Sequence, residues 1–344
     1  MMSLSVSLLR NSCRRQLRLS GLGPGLGVQR RTVTTDTSAS SLSPPPSIFS
    51  DDHLELQSSL RKIIDSEINP YVDQWEKDGQ FPVNDIFKTL GNAGFLCVTR
   101  SEQYGGAGLS FSHQIALAEE LGNIHCGSIP MSIQVQDMAT PALANHGSDA
   151  LKEQFLAPSI AGDFVACLGV SEVTAGSDVA AITTVAEKDG EDYVINGGKM
   201  WTTNGKTADW MCLLANTSSS AATGSPYTNK TLLCVPMNSP GVTTSSKLDK
   251  LGMRSSDTCA VYLDNVRIPQ TYRIGKEGQG FIYQMQQFQE ERMIISAAMV
   301  RQLECVIEEC AKYTSERNIF GAPILVMATS IVNFYIDSAI LTVT

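Results

Sequence analysis

Between Asp51 and about Ile160 the apolar residues recur at the 3.6-residue spacing of helices. HLELQSSLRKIIDSEINPYVDQW opens after the cap-type residues Ser50, Asp51 and Asp52 and carries Leu54, Leu56, Leu60, Ile63 and Ile64 near that period. VNDIFKTLGNAGF repeats the pattern and is predicted to stop at Gly94. Ser112 to Leu121, preceded by the loop YGGAG, is a third amphipathic helix, and SDALKEQFLAPSI a fourth, ended by Pro158. From about Asp163 to Gly275 the period changes to two. Asp189-Gly190 and Asn196-Gly197 are hairpin signals, and WMCLLA, TLLCVPM, GVTTSS and AVYLDNVRIP read as strands. Ser218 to Asn229 is a polar loop between two of them. From Phe281 to Phe320 forty residues contain no Gly or Pro, which predicts one long helix or two.

The order is helical, then β, then helical, in segregated blocks. That predicts an α+β fold with an N-terminal all-helical domain (47–162), a central β-domain (163–275) and a C-terminal helical domain (276–344). Alternating βαβ units are missing, and neither GxGxxG nor a P-loop occurs, which argues against a Rossmann core.

Charge changes the picture at one end. Residues 1–35 hold six arginines and no acid, with serines and leucines between them. That is the composition of a mitochondrial transit peptide, and residues 1–46, closing on Pro44 to Pro46, read as transit peptide and linker. Beyond residue 35, 20 basic residues face 35 acidic ones, a net of −15, which excludes a nucleic-acid footprint. The nine cysteines lack CxxC spacing and the four histidines lack metal-ligand spacing, so free thiols in a reducing compartment and no structural metal are expected.

Four motifs carry chemistry: VSEVTAGSD (170–178), VINGGKMWTTNG (194–205), KLGMRSSDT (250–258) and RNIFGAP (317–323). Together, and in this order on this domain plan, they resemble the acyl-CoA dehydrogenase family. The resemblance runs from about Asp51 to Pro323 and implies FAD-dependent α,β-dehydrogenation of acyl-CoA thioesters in the mitochondrial matrix, in fatty-acid or branched-chain catabolism. It also implies electron transfer flavoprotein as acceptor and assembly as a homo-oligomer. The implied flavin residues are Leu168, Val170, Ser171, Glu172, Gly176, Ser177, Trp201, Thr202, Thr203, Arg317 and Phe320, with Ser177 also near the CoA. A flavin needs hydrogen bonds at its pyrimidine edge and N5 and a flat cover on one face. By the resemblance Ser171 serves the pyrimidine edge, Trp201 the cover and Thr203 the neighbourhood of N5. Arg317 and Phe320 resemble residues that reach the FAD of a neighbouring subunit. Val173-Thr174 departs from the family's usual Pro-Gly after the Glu, and Thr202 from its usual Ile.

The reaction needs a carboxylate base with a raised pKa in a dry pocket. The long-chain and isovaleryl types resemble this chain in placing a Glu before an Arg on the helix after the β-domain. That helix reads MQQFQEERMIIS. Phe288, Glu291, Ile294 and Ile295 share a helical face, but Glu290 has apolar neighbours at similar offsets, so spacing leaves both open. The resemblance selects Glu291 as the catalytic base and Arg292 for the CoA or acyl end.

Family members usually continue well beyond the RNIFGAP segment, so an incomplete C-terminal domain is expected, with weakened flavin binding and activity. The last 21 residues include 14 apolar ones, long enough to span a membrane, but Asn333 and Asp337 near the middle argue against a stable span. Two further functions stay open: a binding or assembly protein without flavin, and an acyl-CoA oxidase, which the absence of a terminal SKL disfavours.

Overall fold

A computed structural model describes residues 48–218 and 220–326. The expectations for the Arg-rich segment 1–46 and for most of the last 21 residues lie outside the described residues. The described residues from Asp51 onward form one compact unit.

Helix α1 (Asp51–Ile63) continues as a π-turn, Ile64–Ile68, and Pro70 then separates it from α2 (Val72–Asp78). Helix α3 (Val83–Asn92) ends just before Gly94, which takes the left-handed conformation at φ 77°. Helix α4 (Phe111–Leu121) matches its predicted span. Helix α5 (Ser128–Ala139) follows, with no apolar stripe to betray it because eleven of its twelve residues are buried. Helix α6 (Pro141–His146) leads into α7, built from Asp149–Leu151, a π segment Lys152–Leu156 and Ala157–Ile160. Pro158 therefore does not end the fourth predicted helix. The π segment widens the turn just before the proline and eases the clash that its ring causes in a regular helix.

Eight strands form one sheet: β1 (Ala166–Gly169), β2 (Val185–Asp189), β3 (Asp192–Thr202), β4 (Trp210–Asn216), β5 (Lys230–Pro236), β6 (Val242–Thr244), β7 (Cys259–Pro269) and β8 (Arg273–Ile274). Their order is β6-β7-β3-β2-β4-β5-β8, with β1 pairing parallel to β4. Asp189 pairs with Asp192 across a two-residue turn, so the first hairpin signal is met. The second is not. Asn196-Gly197 lies inside β3 at a bulge, with Gly197 at φ 144° and Thr184 so close that a Cβ would collide. Both sheet faces are covered. Trp210, Cys212 and Leu214 pack toward Leu143 and Phe155, while Met211 and Leu213 join Tyr193, Ile195 and Val261 on the other face. The loop after β4 carries a short helix, Ser220–Thr223.

A single helix, α8 (Gly280–Glu316), closes the fold against α4, α5, α6 and β5. Its buried residues are Gly280, Gln284, Gln287, Glu291, Ile294 and Ala298, an alternating four-three spacing that makes one seam. Beyond Ala298 the seam ends, and Val300, Leu303, Val306, Ile307 and Tyr313 are exposed. A small hairpin, β9 (Asn318–Ile319) with β10 (Ala322–Pro323), follows.

Candidate active site

Two strand ends build the first half of the site. β1 carries half-buried Leu168 and runs into buried Val170 and half-buried Ser171. The amide of Met200 on β3 donates to the Ser171 carbonyl at 2.9 Å, and Lys199 Nζ donates to the Val170 carbonyl at 3.1 Å. The SE and WTT motifs are therefore neighbours. A second bulge between Lys199 and Thr202 turns the strand, and Trp201 sits in it at φ 58° with its side chain outward, 55% exposed. Thr203 Oγ1 lies 3.2 Å from Thr258 Oγ1, which brings the KLGMRSSDT motif to the same place. Asn204 then ties this end down, donating to the carbonyls of Ser132 on α5 and Ala166 on β1.

Glu172, expected at the flavin from its motif, has its side chain bonded within the protein. Its buried carboxylate accepts from Lys199 Nζ at 2.8 Å, from the amide and hydroxyl of Thr184 at 3.0 and 2.7 Å, and from those of Thr183 at 2.7 and 2.6 Å. Burial pushes its pKa up, but the Lys199 charge and these donors outweigh that and hold it at about 2. Burial in turn lowers Lys199 to about 8, partly offset by Glu172. With every carboxylate oxygen engaged, the side chain serves to pin the Ser171 strand to β3. The departure at Val173-Thr174 is harmless to this loop. Glu172 and Ala175 exchange backbone hydrogen bonds across it, and neither Val173 nor Thr174 takes positive φ. Gly176 and Ser177 follow, both exposed, with open space where a Cβ on Gly176 would stand.

The second half of the site is on α8, where burial separates the adjacent glutamates. Glu291 is 8% exposed, while Glu290 and Arg292 face solvent. Burial pushes the Glu291 pKa up to about 7, against the pull of a 3.2 Å hydrogen bond from Gln287 Nε2 and the charge of Arg292. Gln287 Nε2 also donates to the Met138 carbonyl on α5. Sequence reasoning missed Gln287 and Gln284, although both share the seam spacing of Glu291, and missed buried Arg100, whose guanidinium donates to the Asp137 carbonyl and Thr140 Oγ1.

Arg317 and Phe320 are not brought to this place. They lie past the far end of α8, and at 1.5 Å per residue Arg317 is about 39 Å from Glu291 along the helix axis. Phe320 and Gly321, at φ 49° and 81°, form the two-residue turn between β9 and β10, and Phe320 is 94% exposed. Folding also joins Asp52, His53 and His113, whose ligand-type atoms lie within 4.8 Å of one another, although the histidines are far apart in sequence. Among the described residues no helix is long and apolar enough to cross a membrane.

Comparison with known proteins gives the same plan. Family models of the acyl-CoA dehydrogenase N-terminal, middle and C-terminal domains match residues 50–163, 167–266 and 278–334. The rat (Rattus norvegicus) long-chain specific acyl-CoA dehydrogenase, mitochondrial, is 31% identical over 274 residues, which is 80% of this chain and 63% of that protein. The isovaleryl-CoA dehydrogenase, mitochondrial, of Oryza sativa subsp. japonica is 33% identical over 302 residues, 87% of this chain and 71% of that one. An acyl-CoA dehydrogenase from Geobacillus kaustophilus superposes with a TM-score of 0.77 at 29% identity, covering 85% of this chain and 77% of that chain. A glutaryl-CoA dehydrogenase from Mycobacterium smegmatis in complex with FADH2 gives 0.72 at 28%, covering 80% and 68%. The chain thus spans just under two thirds of the rat relative and somewhat more of the rice one. With matched domains in the order its helical and β blocks follow, and relatives of about one-third identity along most of its length, the chain belongs to the acyl-CoA dehydrogenase family.

Proposed function

We propose that this chain is an FAD-dependent acyl-CoA dehydrogenase in which Glu291 removes the α-proton of an acyl-CoA thioester. The observation that carries the reading is the contrast on α8: one glutamate buried and raised to about 7, its neighbours Glu290 and Arg292 in solvent. A base poised near neutrality can hold the proton it takes without leaving a charge in an apolar site.

The chain's own residues fit a flavin. Trp201 offers an exposed flat ring beside Thr202, whose buried Oγ1 has no hydrogen-bond partner among the described residues. Ser171 and Thr203 stand on the two strand ends that flank it. We assign Leu168, Val170, Ser171, Trp201, Thr202 and Thr203 to flavin contact, with Glu172 positioning their strand and Gly176-Ser177 leaving room for the diphosphate and CoA. FAD bound there would supply the two-electron acceptor for the hydride leaving Cβ. Arg292, exposed beside the base, would meet the CoA or acyl end. Arg317 and Phe320, far from Glu291, would serve the flavin of a second subunit in a homo-oligomer. The Arg-rich N-terminus and the mitochondrial relatives support the matrix as the location and electron transfer flavoprotein as the acceptor.

The test is anaerobic mixing of the flavin-loaded protein with acyl-CoA. Glu291→Gln should keep the flavin and slow its bleaching by about 10²–10⁴-fold. Glu290→Gln should bleach like the parent. The opposite result would assign the base to Glu290, and absence of flavin from both would overturn the enzyme reading.

A further inference from the structure

We propose that the seam between α5 and α8 receives an acyl chain bearing a neutral hydrogen-bonding group, such as a hydroxyl, rather than a plain alkyl chain. This rests on the acyl-CoA reading above. Six buried side-chain polar atoms have no partner among the described residues, and five of them belong to these two helices: Gln134 Nε2 and Asp137 Oδ1 on α5, Gln284 Nε2 and Oε1 and Gln287 Oε1 on α8. All four residues are 3% exposed or less. Gln287 joins the set to the base, since its Nε2 donates both to the Met138 carbonyl and to Glu291.

Buried polar atoms are nearly always paired, and an orphan carries its full desolvation cost. Five orphans on two packed helices, joined where Gln287 reaches the Met138 carbonyl, against one elsewhere among the described residues, point to a missing partner between them. An alkyl chain would leave all five atoms unmet. The inventory holds donors at Gln134 and Gln284 and acceptors at Asp137, Gln284 and Gln287. A carboxylate would accept only and face three oxygens. An ammonium would donate only and leave the amide donors unpaired. A hydroxyl both donates and accepts. Charge agrees, because the guanidinium of Arg100, bonded to the Asp137 carbonyl at 3.2 Å, offsets the Asp137 carboxyl, so this pair presents no net charge for a charged acyl group to match.

The test is calorimetric binding to the full-length Glu291→Gln protein, which removes turnover. Hexanoyl-CoA is compared with the hydroxyhexanoyl-CoAs carrying the hydroxyl on carbon 4, 5 or 6. At least one hydroxylated form should bind about tenfold or more tightly than hexanoyl-CoA, because a site built for a hydroxyl strongly rejects the analogue lacking it. Adding Gln284→Met should abolish that preference and raise the thermal midpoint, since the change removes an unpaired buried amide while keeping its approximate shape. If hexanoyl-CoA binds as tightly as every hydroxylated form, the orphaned atoms are met by water and the proposal fails while the acyl-CoA reading stands. If the preference survives both Gln284→Met and Gln134→Met, the seam is not the recognition site. If no acyl-CoA binds, both readings fail.

Discussion

At the scale of single residues, burial decides what a charge does. Glu291 must lose its proton to act as base, so the rate of flavin bleaching should rise with pH through about 7 and then level off. A stopped-flow pH profile of the parent and of Glu290→Gln should give the same midpoint. Glu172 and Lys199 show the opposite use of charge, a buried pair with its hydrogen bonds satisfied. Lys199→Met strands the carboxylate and should destabilise the protein by about 3–5 kcal/mol, measured by urea unfolding. Adding Glu172→Gln should recover much of that loss, because no uncompensated charge is then left. A double variant as unstable as the single one would show that Lys199 contributes mainly through packing.

At the scale of elements, α8 is placed by its first residue. Gly280 sits against β5, where a Cβ would stand 2.7 Å from the Leu232 nitrogen and from Thr231 backbone atoms. Gly280→Ala must move the helix or the strand, and overpacking of this kind costs about 1–3 kcal/mol. Since the helix carries the seam of Gln284, Gln287 and Glu291, the same variant should also shift the bleaching midpoint from about 7 toward the ordinary carboxylate range as water gains access. An unchanged midpoint with lowered stability would show that the helix start yields locally without moving the base.

For the whole molecule, the raised Glu291 links stability to pH. Between its ordinary value of 4.5 and about 7 the folded state keeps a proton that the unfolded chain releases, so this group's contribution to stability falls as pH rises through that window. The full effect is at most about 3 kcal/mol. Glu291→Gln should therefore raise Tm relative to the parent at pH 8 and change it little at pH 4.5. The distal half of α8 gives a second global expectation. Leu303 and Ile307 are 62% and 57% exposed, so replacing both by Lys removes little burial. Folding stability should change by less than about 0.5 kcal/mol, while binding of a hydrophobic dye and precipitation on heating should fall. A large loss of stability would mean that these side chains are buried in the protein as it exists in solution.

The sequence by itself determined whatever depends on near neighbours along the chain. The helix-β-helix order follows from a change of period, the Asp189-Gly190 hairpin from two-residue turn chemistry, and the long helix from forty residues without a breaker. The motif positions were legible for the same reason, each being a short string. What depends on residues distant in sequence was decided only by tertiary structure. Helix α5 has no polar face to read, because protein surrounds it on all sides. Asn196-Gly197 makes a bulge instead of a turn because β7 continues the pairing past it and Thr184 crowds Gly197. Glu172 became a strut when folding brought Lys199, Thr183 and Thr184 around it. Glu290 and Glu291 differ by one position and have similar local neighbours, yet only one faces the interior. Its raised pKa comes from desolvation by packed elements, a property that no local string contains.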